Sequence, residues 1–157
     1  MELKRSPLIY HDFIVFDAHL EAVFDNETQK CNFETIPLEI DFDTYLSEEK
    51  NNFFNIVLNI NGNNSDNPVA GYKFSIVANG IFELKDFEKL KKEKVDQFLL
   101  YSALPMLISS VRNYIFNLTS YAPHGKYLLP ALDLPALIKQ TIESKKQVEE
   151  IEEETKN

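Results

Sequence analysis

The chain has 157 residues, 44% hydrophobic and 26% charged, which fits one globular domain and excludes a disordered or membrane-embedded chain. Lys and Arg number 16 against 25 Asp and Glu; the net charge of −9 excludes the clustered cations that a nucleic-acid binder needs. A single cysteine, Cys31, excludes an internal disulfide framework and a Cys-cluster zinc site.

The first half reads as strands. Over 8–24, Tyr10, Ile14, Phe16, Ala18, Leu20, Ala22 and Phe24 share one face, broken only by Asp12, with Phe13, Val15, Asp17, His19 and Glu21 opposite. A polar loop, 25–33, follows, broken by Cys31 and Phe33. Over 34–45, Ile36, Leu38, Ile40 and Phe42 oppose Glu39, Asp41 and Asp43. Over 52–61, Phe54, Ile56, Leu58 and Ile60 oppose three asparagines. Asn61 to Pro68 is dense in turn formers and predicts a hairpin loop. Over 70–84, Tyr72, Phe74, Ile76, Ala78 and Phe82 form the fourth apolar face.

The second half reads as helices. The charged stretch 86–94 opens or approaches a helix. Leu104, Leu107, Ile108, Val111, Ile115 and Leu118 recur at helical spacing, and Leu100, Met106, Tyr114 and Tyr121 form a second stripe. Two apolar faces predict a helix that packs on its own sheet and against a partner subunit. Pro105 predicts a kink near Ala103–Leu104, and Pro123 with Gly125 ends the helix. The connector 122–135 is apolar and punctuated by prolines. Asp133 is the expected N-cap of a last helix reaching about Ile151, with a frayed acidic tail over 152–157. Strands followed by helices predict an α+β fold: a four-stranded antiparallel sheet with two helices on one face, in a single domain over 1–157 with the sheet in 8–84 and the helices in 86–151.

No catalytic constellation emerges. His11, His19 and His124 are far apart and belong to no spaced ligand motif, and no Gly-rich phosphate loop or nucleophile elbow is present. The expectation is no enzyme activity, no metal and no cofactor. No export signal or membrane-length apolar stretch is read, which predicts a cytoplasmic chain with no membrane insertion.

Three motifs in order carry a family resemblance. Gly80-Ile-Phe-Glu-Leu84 closes a long strand; Ala103-Leu-Pro-Met-Leu-Ile108 leads to Arg112; Leu132-Asp-Leu-Pro-Ala-Leu-Ile138 enters the last helix. This order resembles the SecB family of protein-export chaperones over roughly 70–140, with Ile14-Val-Phe-Asp-Ala18 echoing it earlier. The chain departs from that family at Pro105, one place late, at Ser109-Ser110 for Pro-Tyr, and at Asp133-Leu134 for Asn-Phe.

The resemblance implies an ATP-independent holdase for unfolded, apolar-rich clients, serving protein export or an antitoxin. It implies a tetramer built as a dimer of dimers, with a dimer as the next alternative, and the SecA export ATPase as a partner. Family acidic docking positions fall on Asp17 and on Phe13 with Asp12 beside it; a third falls on Ser75, which is no acid. The client groove is expected between sheet and connector, at Phe33, Tyr121, Tyr127, Leu128, Leu132, Leu134 and Ile138. The connector, short of regular hydrogen bonds at its prolines, is expected to act as a movable flap. An oligomer interface is expected at Leu107, Val111 and Tyr114. The competing class is a small-ligand-binding or structural oligomer with a closed apolar interior.

Overall fold

A computed structural model describes residues 5–24 and 31–155; the polar loop residues 25–30 and the tail residues 156–157 lie outside the described residues. Four strands, β1 (Leu8–Val23), β2 (Leu38–Leu46), β3 (Phe53–Gly62) and β4 (Gly71–Leu84), form one antiparallel sheet in the order β1-β4-β3-β2. Two helical segments cover one face of it, so the architecture is α+β as the residue pattern predicts.

Alternation reads β3 and β4 correctly. Phe54, Ile56, Leu58 and Ile60 are buried beneath the helices together with Tyr72, Phe74, Ile76, Ala78 and Phe82. Gly62 lies against the Phe74 ring so closely that a Cβ there would meet ring carbons at 2.2 Å. The loop after Gly62 turns on Asn63, which adopts φ 58° and bonds both main-chain groups of Val69 through its side-chain amide. β2 starts at Leu38 rather than 34. Asn32 accepts from Glu34 N–H to close a 3-10 turn over Phe33–Thr35, and Pro37 has no N–H to enter a ladder.

β1 departs from strict alternation. Its register against β4 skips one residue between Tyr10 and Asp12 and another between Val15 and Asp17. Each skip is a β-bulge that exchanges the two faces. The residues opposite the inward β4 side chains are therefore Leu8 and Tyr10, then Phe13 and Val15, then Ala18, Leu20 and Ala22. Ile14 and Phe16, expected inside, are exposed; Phe13 and Val15, expected outside, pack against the core.

Both margins of the sheet share one local device. Phe13 N–H donates to Asp12 Oδ1 at 2.8 Å on β1, and Phe42 N–H donates to Asp41 Oδ1 at 2.8 Å on β2. Each Asp caps the next residue's outward donor. β1 and β2 are the outermost strands, so these N–H groups face no neighbouring strand.

The main helix begins earlier than its apolar stripe suggests. α1 (Lys92–Phe98) passes through a π turn at Leu99–Ala103 into α2 (Leu104–Leu118). Leu104 N–H donates to Leu99 O, five residues back. The wide turn lies immediately before Pro105, whose ring would otherwise meet the carbonyl of Tyr101. The interruption expected at Ala103–Leu104 is thus a π turn.

α3 (Leu134–Thr155) continues past Ile151, where the residue pattern ends it, and its start obeys the expected cap. Ala136 N–H donates to Asp133 Oδ1 at 3.1 Å. Asp133→Ala is expected to cost about 1 kcal/mol, the usual worth of an N-cap, read as a lower urea midpoint with unchanged slope. Lys145 on α3 donates to Phe42 O at 2.9 Å, pairs with Asp43 and lies over the Phe42 ring, which fastens α3 to the β2 margin. Among the described residues no helix is long and apolar enough to cross a membrane.

Candidate functional site

At the end of the sheet where β1 finishes and β4 starts, aromatic side chains pack on one another. Phe33 stacks on Tyr72 with ring centroids 5.7 Å apart and tilts against Tyr127 at 5.1 Å. Tyr127 also meets Phe74 at 5.6 Å. The surrounding polar groups tie this cluster shut. Tyr72 OH donates to Gly125 O and accepts from His124 N–H, while the His124 ring bonds Val23 O. The other two histidines are engaged or solvated. His11 meets Glu83 at 2.7 Å, and His19 is exposed opposite Ser75.

The connector runs over this cluster and is held at alternate residues. Tyr127 N–H donates to Thr119 Oγ1 at 2.9 Å. Arg112, a lone cation in an apolar helix, donates to Leu129 O at 2.9 Å and Pro130 O at 3.0 Å. The stretch expected to move as a flap is therefore pinned at Tyr127 and at Leu129–Pro130. The carbonyls that its prolines leave free are satisfied by a guanidinium.

The seven expected groove residues separate into three kinds. Tyr127 and Ile138 are core residues, 1% and 4% exposed. Phe33, Leu132 and Leu134 are half-buried against that core. Tyr121 is fully exposed and Leu128 is 60% exposed. Of the seven, Tyr121 and Leu128 are the side chains most open to solvent, and Phe33, Leu132 and Leu134 are partly so. Tyr127 fills the interior because the connector alternates inward and outward like a strand, and Ile138 because it lies on the buried side of α3.

Tyr127 carries a chemical oddity. Its hydroxyl is buried with no hydrogen-bond partner among the described residues. Burial, with the Cys31 thiol nearby, pushes its pKa up to about 12. Burial raises the Cys31 pKa as well, which does not favour a reactive thiolate.

Two of the residues expected at an oligomer interface need correction. Leu107 and Val111 are fully buried against this chain's own sheet, on the same stripe as Leu104, Ile108 and Ile115. Tyr114, the third, is half-buried and meets Phe13 edge-on at 6.3 Å. The side of the main helix left to solvent carries Tyr101 and Met106 instead.

Asp12 and Asp17 are both exposed on β1, paired with Ile81 and Val77 of β4. These partners belong to the β4 set facing away from the helices. The first bulge brings Asp12 to the outer face, and the second restores Asp17 to the outer side that alternation gives it. Ser75 faces the same way, opposite His19.

A second apolar concavity lies at the other end of the sheet and has no counterpart in the residue patterns. An open concavity of about 400 Å³ is lined by Phe54, Phe87, Leu90, Val95 and Leu99, with Thr44, Tyr45 and Leu46 and the charged Lys92 and Asp96 also lining it. Tyr45 and Leu46 are each about half exposed. The adjacent apolar pair Tyr45-Leu46 at a strand end, breaking alternation, was the available signal.

No protein-family model matches the sequence, and no curated protein matches it. Among solved structures, the chain is similar to the Mycobacterium tuberculosis SecB-like chaperone Rv1957, solved in complex with a ChAD peptide from the Rv1956 HigA1 antitoxin. The identity is 14% and the TM-score 0.55, over 80% of this chain and 88% of that one. It also matches a Streptococcus agalactiae protein of unknown function at 16% identity and TM-score 0.42, over 79% of this chain and 97% of the other. The first likeness gives the chain a SecB-like fold.

Proposed function

We propose that this chain is a holdase of the SecB-like kind, with residues 1–157 as one chaperone domain. It binds unfolded, apolar-rich polypeptide without ATP or any cofactor, in the cytoplasm, for protein export or for custody of an antitoxin. The observation that carries the proposal is the exposure of Tyr121 and Leu128 beside a core that is already complete. Large apolar side chains left in water beside a filled interior mark a surface meant for another chain. The SecB-like fold supports the same reading, and the similar chaperone was solved with an antitoxin peptide. Such binding needs extended apolar area and no reacting group, and a net charge of −9 keeps copies of the chaperone apart.

Assembly belongs to the same proposal. The exposed helix side with Tyr101 and Met106, and the free margin of β1, suit a second and then a third copy, giving a tetramer built as a dimer of dimers or a simple dimer. Asp12 and Asp17 on the outer face suit a basic partner such as the SecA export ATPase.

The test is suppression of aggregation of a reduced, alkylated client protein by the full chain. Leu128→Ser and Tyr121→Ser together are expected to raise the chaperone concentration needed for half-suppression about tenfold, while the melting temperature stays within about 2 °C. Unchanged suppression by the double variant would remove these residues from the binding surface. No suppression by the unaltered chain would remove the holdase reading.

A further inference from the structure

We propose that Cys31 is an oxidation site for hydroperoxides, at which the Tyr127 hydroxyl holds the oxygen of the resulting sulfenic acid. The proposal stands apart from the holdase reading and involves no client.

The sulfur is set into the fold by its neighbours. Cys31 is half-buried, and its Sγ rests against the bare Cα of Gly71, where a Cβ would lie 3.0 Å away. Two residues on, Phe33 packs on the rings of Tyr72 and Tyr127. The thiol therefore sits at the edge of the aromatic cluster, near enough to both tyrosines to act on their ionisation. The Tyr72 hydroxyl is engaged by Gly125 O and His124 N–H. The Tyr127 hydroxyl is not. Its side chain is 1% exposed, and among the described residues that hydroxyl has no partner, which is unfavourable for a buried donor. Thiol sulfur is a weak acceptor, and no hydrogen bond joins it to Tyr127 in the reduced chain. One oxygen added to the sulfur lengthens the group by a bond and supplies the acceptor that Tyr127 lacks.

The step is a two-electron oxidation. The Cys31 thiolate attacks one oxygen of the peroxide, and the S–O bond forms as the O–O bond breaks. The departing oxygen takes up the proton that the thiol gave, leaving water from hydrogen peroxide or an alcohol from an organic hydroperoxide. Burial keeps the thiol protonated, so the step is slow. What the fold supplies is a lasting product. Cys31 is the single cysteine, so no second thiol of the chain can convert the sulfenic acid to an internal disulfide. Tyr127, its pKa pushed up to about 12, stays protonated at neutral pH and remains a donor. The new bond ties the turn before β2 to the connector.

The experiment is exposure of the full chain to hydrogen peroxide, removal of the peroxide with catalase, and dimedone labelling at intervals, read by peptide mass. Dimedone takes sulfenic acid and ignores the sulfoxides that Met1 and Met106 form. Tyr127→Phe keeps the ring and loses the donor. The expected result is a dimedone adduct at Cys31 in both chains, with a sulfenic acid that lasts about tenfold longer in the unaltered chain. The oxidised unaltered chain should also melt above the reduced one, with Cys31→Ser treated in the same way to subtract methionine oxidation. No adduct at Cys31, equal lifetimes in the two chains, a lower melting temperature after oxidation, or a disulfide-linked pair of chains as the main product would each overturn the proposal. The melting comparison needs no change at Tyr127, so it decides the matter even where Tyr127→Phe fails to fold.

Discussion

Leu107→Glu is expected to unfold the chain, not to split an assembly. Leu107 has no solvent exposure, and it sits so near the sheet that a Cβ on Gly80 would lie 3.2 Å from its side chain. Truncating such a leucine costs about 2–5 kcal/mol, and a carboxylate buried without a partner adds several more. The sum meets or exceeds the roughly 5–15 kcal/mol that holds a domain together. Val111→Glu has the same environment and the same expected outcome. Met106→Glu, at 42% exposure, is the control: it should melt within a few degrees of the unaltered chain. Circular dichroism and light scattering on the three variants distinguish the cases. A folded Leu107→Glu monomer would show that the helix does not pack on the sheet as described. A folded Met106→Glu of lower mass than the unaltered chain would place the subunit contact on the outer helix side.

The second large effect belongs to Tyr127. Tyr127→Ser should cost about 3–5 kcal/mol, because the ring fills space between Phe33 and Phe74. Tyr127→Phe keeps the ring and removes a hydroxyl that is buried without a partner, so it should be neutral or stabilising by about 1–2 kcal/mol at neutral pH. The two diverge further in alkali. The phenol ionises near 10 in the unfolded chain and at about 12 when folded. Folding therefore opposes its ionisation. Its contribution is fully present below pH 10 and is lost as pH rises through 12, about 3 kcal/mol in all. Tyr127→Phe lacks this loss, so its advantage should grow between pH 9 and pH 11. Urea midpoints that stay parallel across that range would mean that the hydroxyl is solvated or bonded.

The fold was legible where each strand keeps one partner on each side without interruption. β3 and β4 are central, and their alternation maps directly onto burial. β1 was misread in its middle because His11 and Phe16 stand outside the pairing. Alternation counts residues, while a bulge counts only those that pair. The echo Ile14-Val-Phe-Asp-Ala18 spans the second bulge, so its apolar side chains do not share one face.

The site was less legible because apolar residues in an irregular segment carry no period. Tyr127 and Leu128 are neighbours of similar character, yet one is core and one is bare. The decision between them comes from Thr119 and Arg112, which fix the connector through main-chain bonds. Side chains on one helix that hold carbonyls and amides of another segment leave no trace in local pattern. The helix stripes failed for a related reason. Both were found, but spacing alone does not say which one meets the sheet, where Leu107 lies against Gly80 of β4.

The Asp–Phe pairs at the two margins act on growth. An open sheet with two free sides is a bifunctional unit in the polymer sense: it can extend from either side, and a bound unfolded client supplies further strands to add. Asp12 and Asp41 work as chain stoppers. Each occupies a donor that an incoming strand would need, and each belongs to the strand it protects, so the stop acts before any partner subunit or client arrives. Any strand pairing past Phe13 or Phe42 must first displace a carboxylate, which limits an uninterrupted addition to a few residues. A margin built in this way can accept a short segment reversibly and still refuse to seed a fibre.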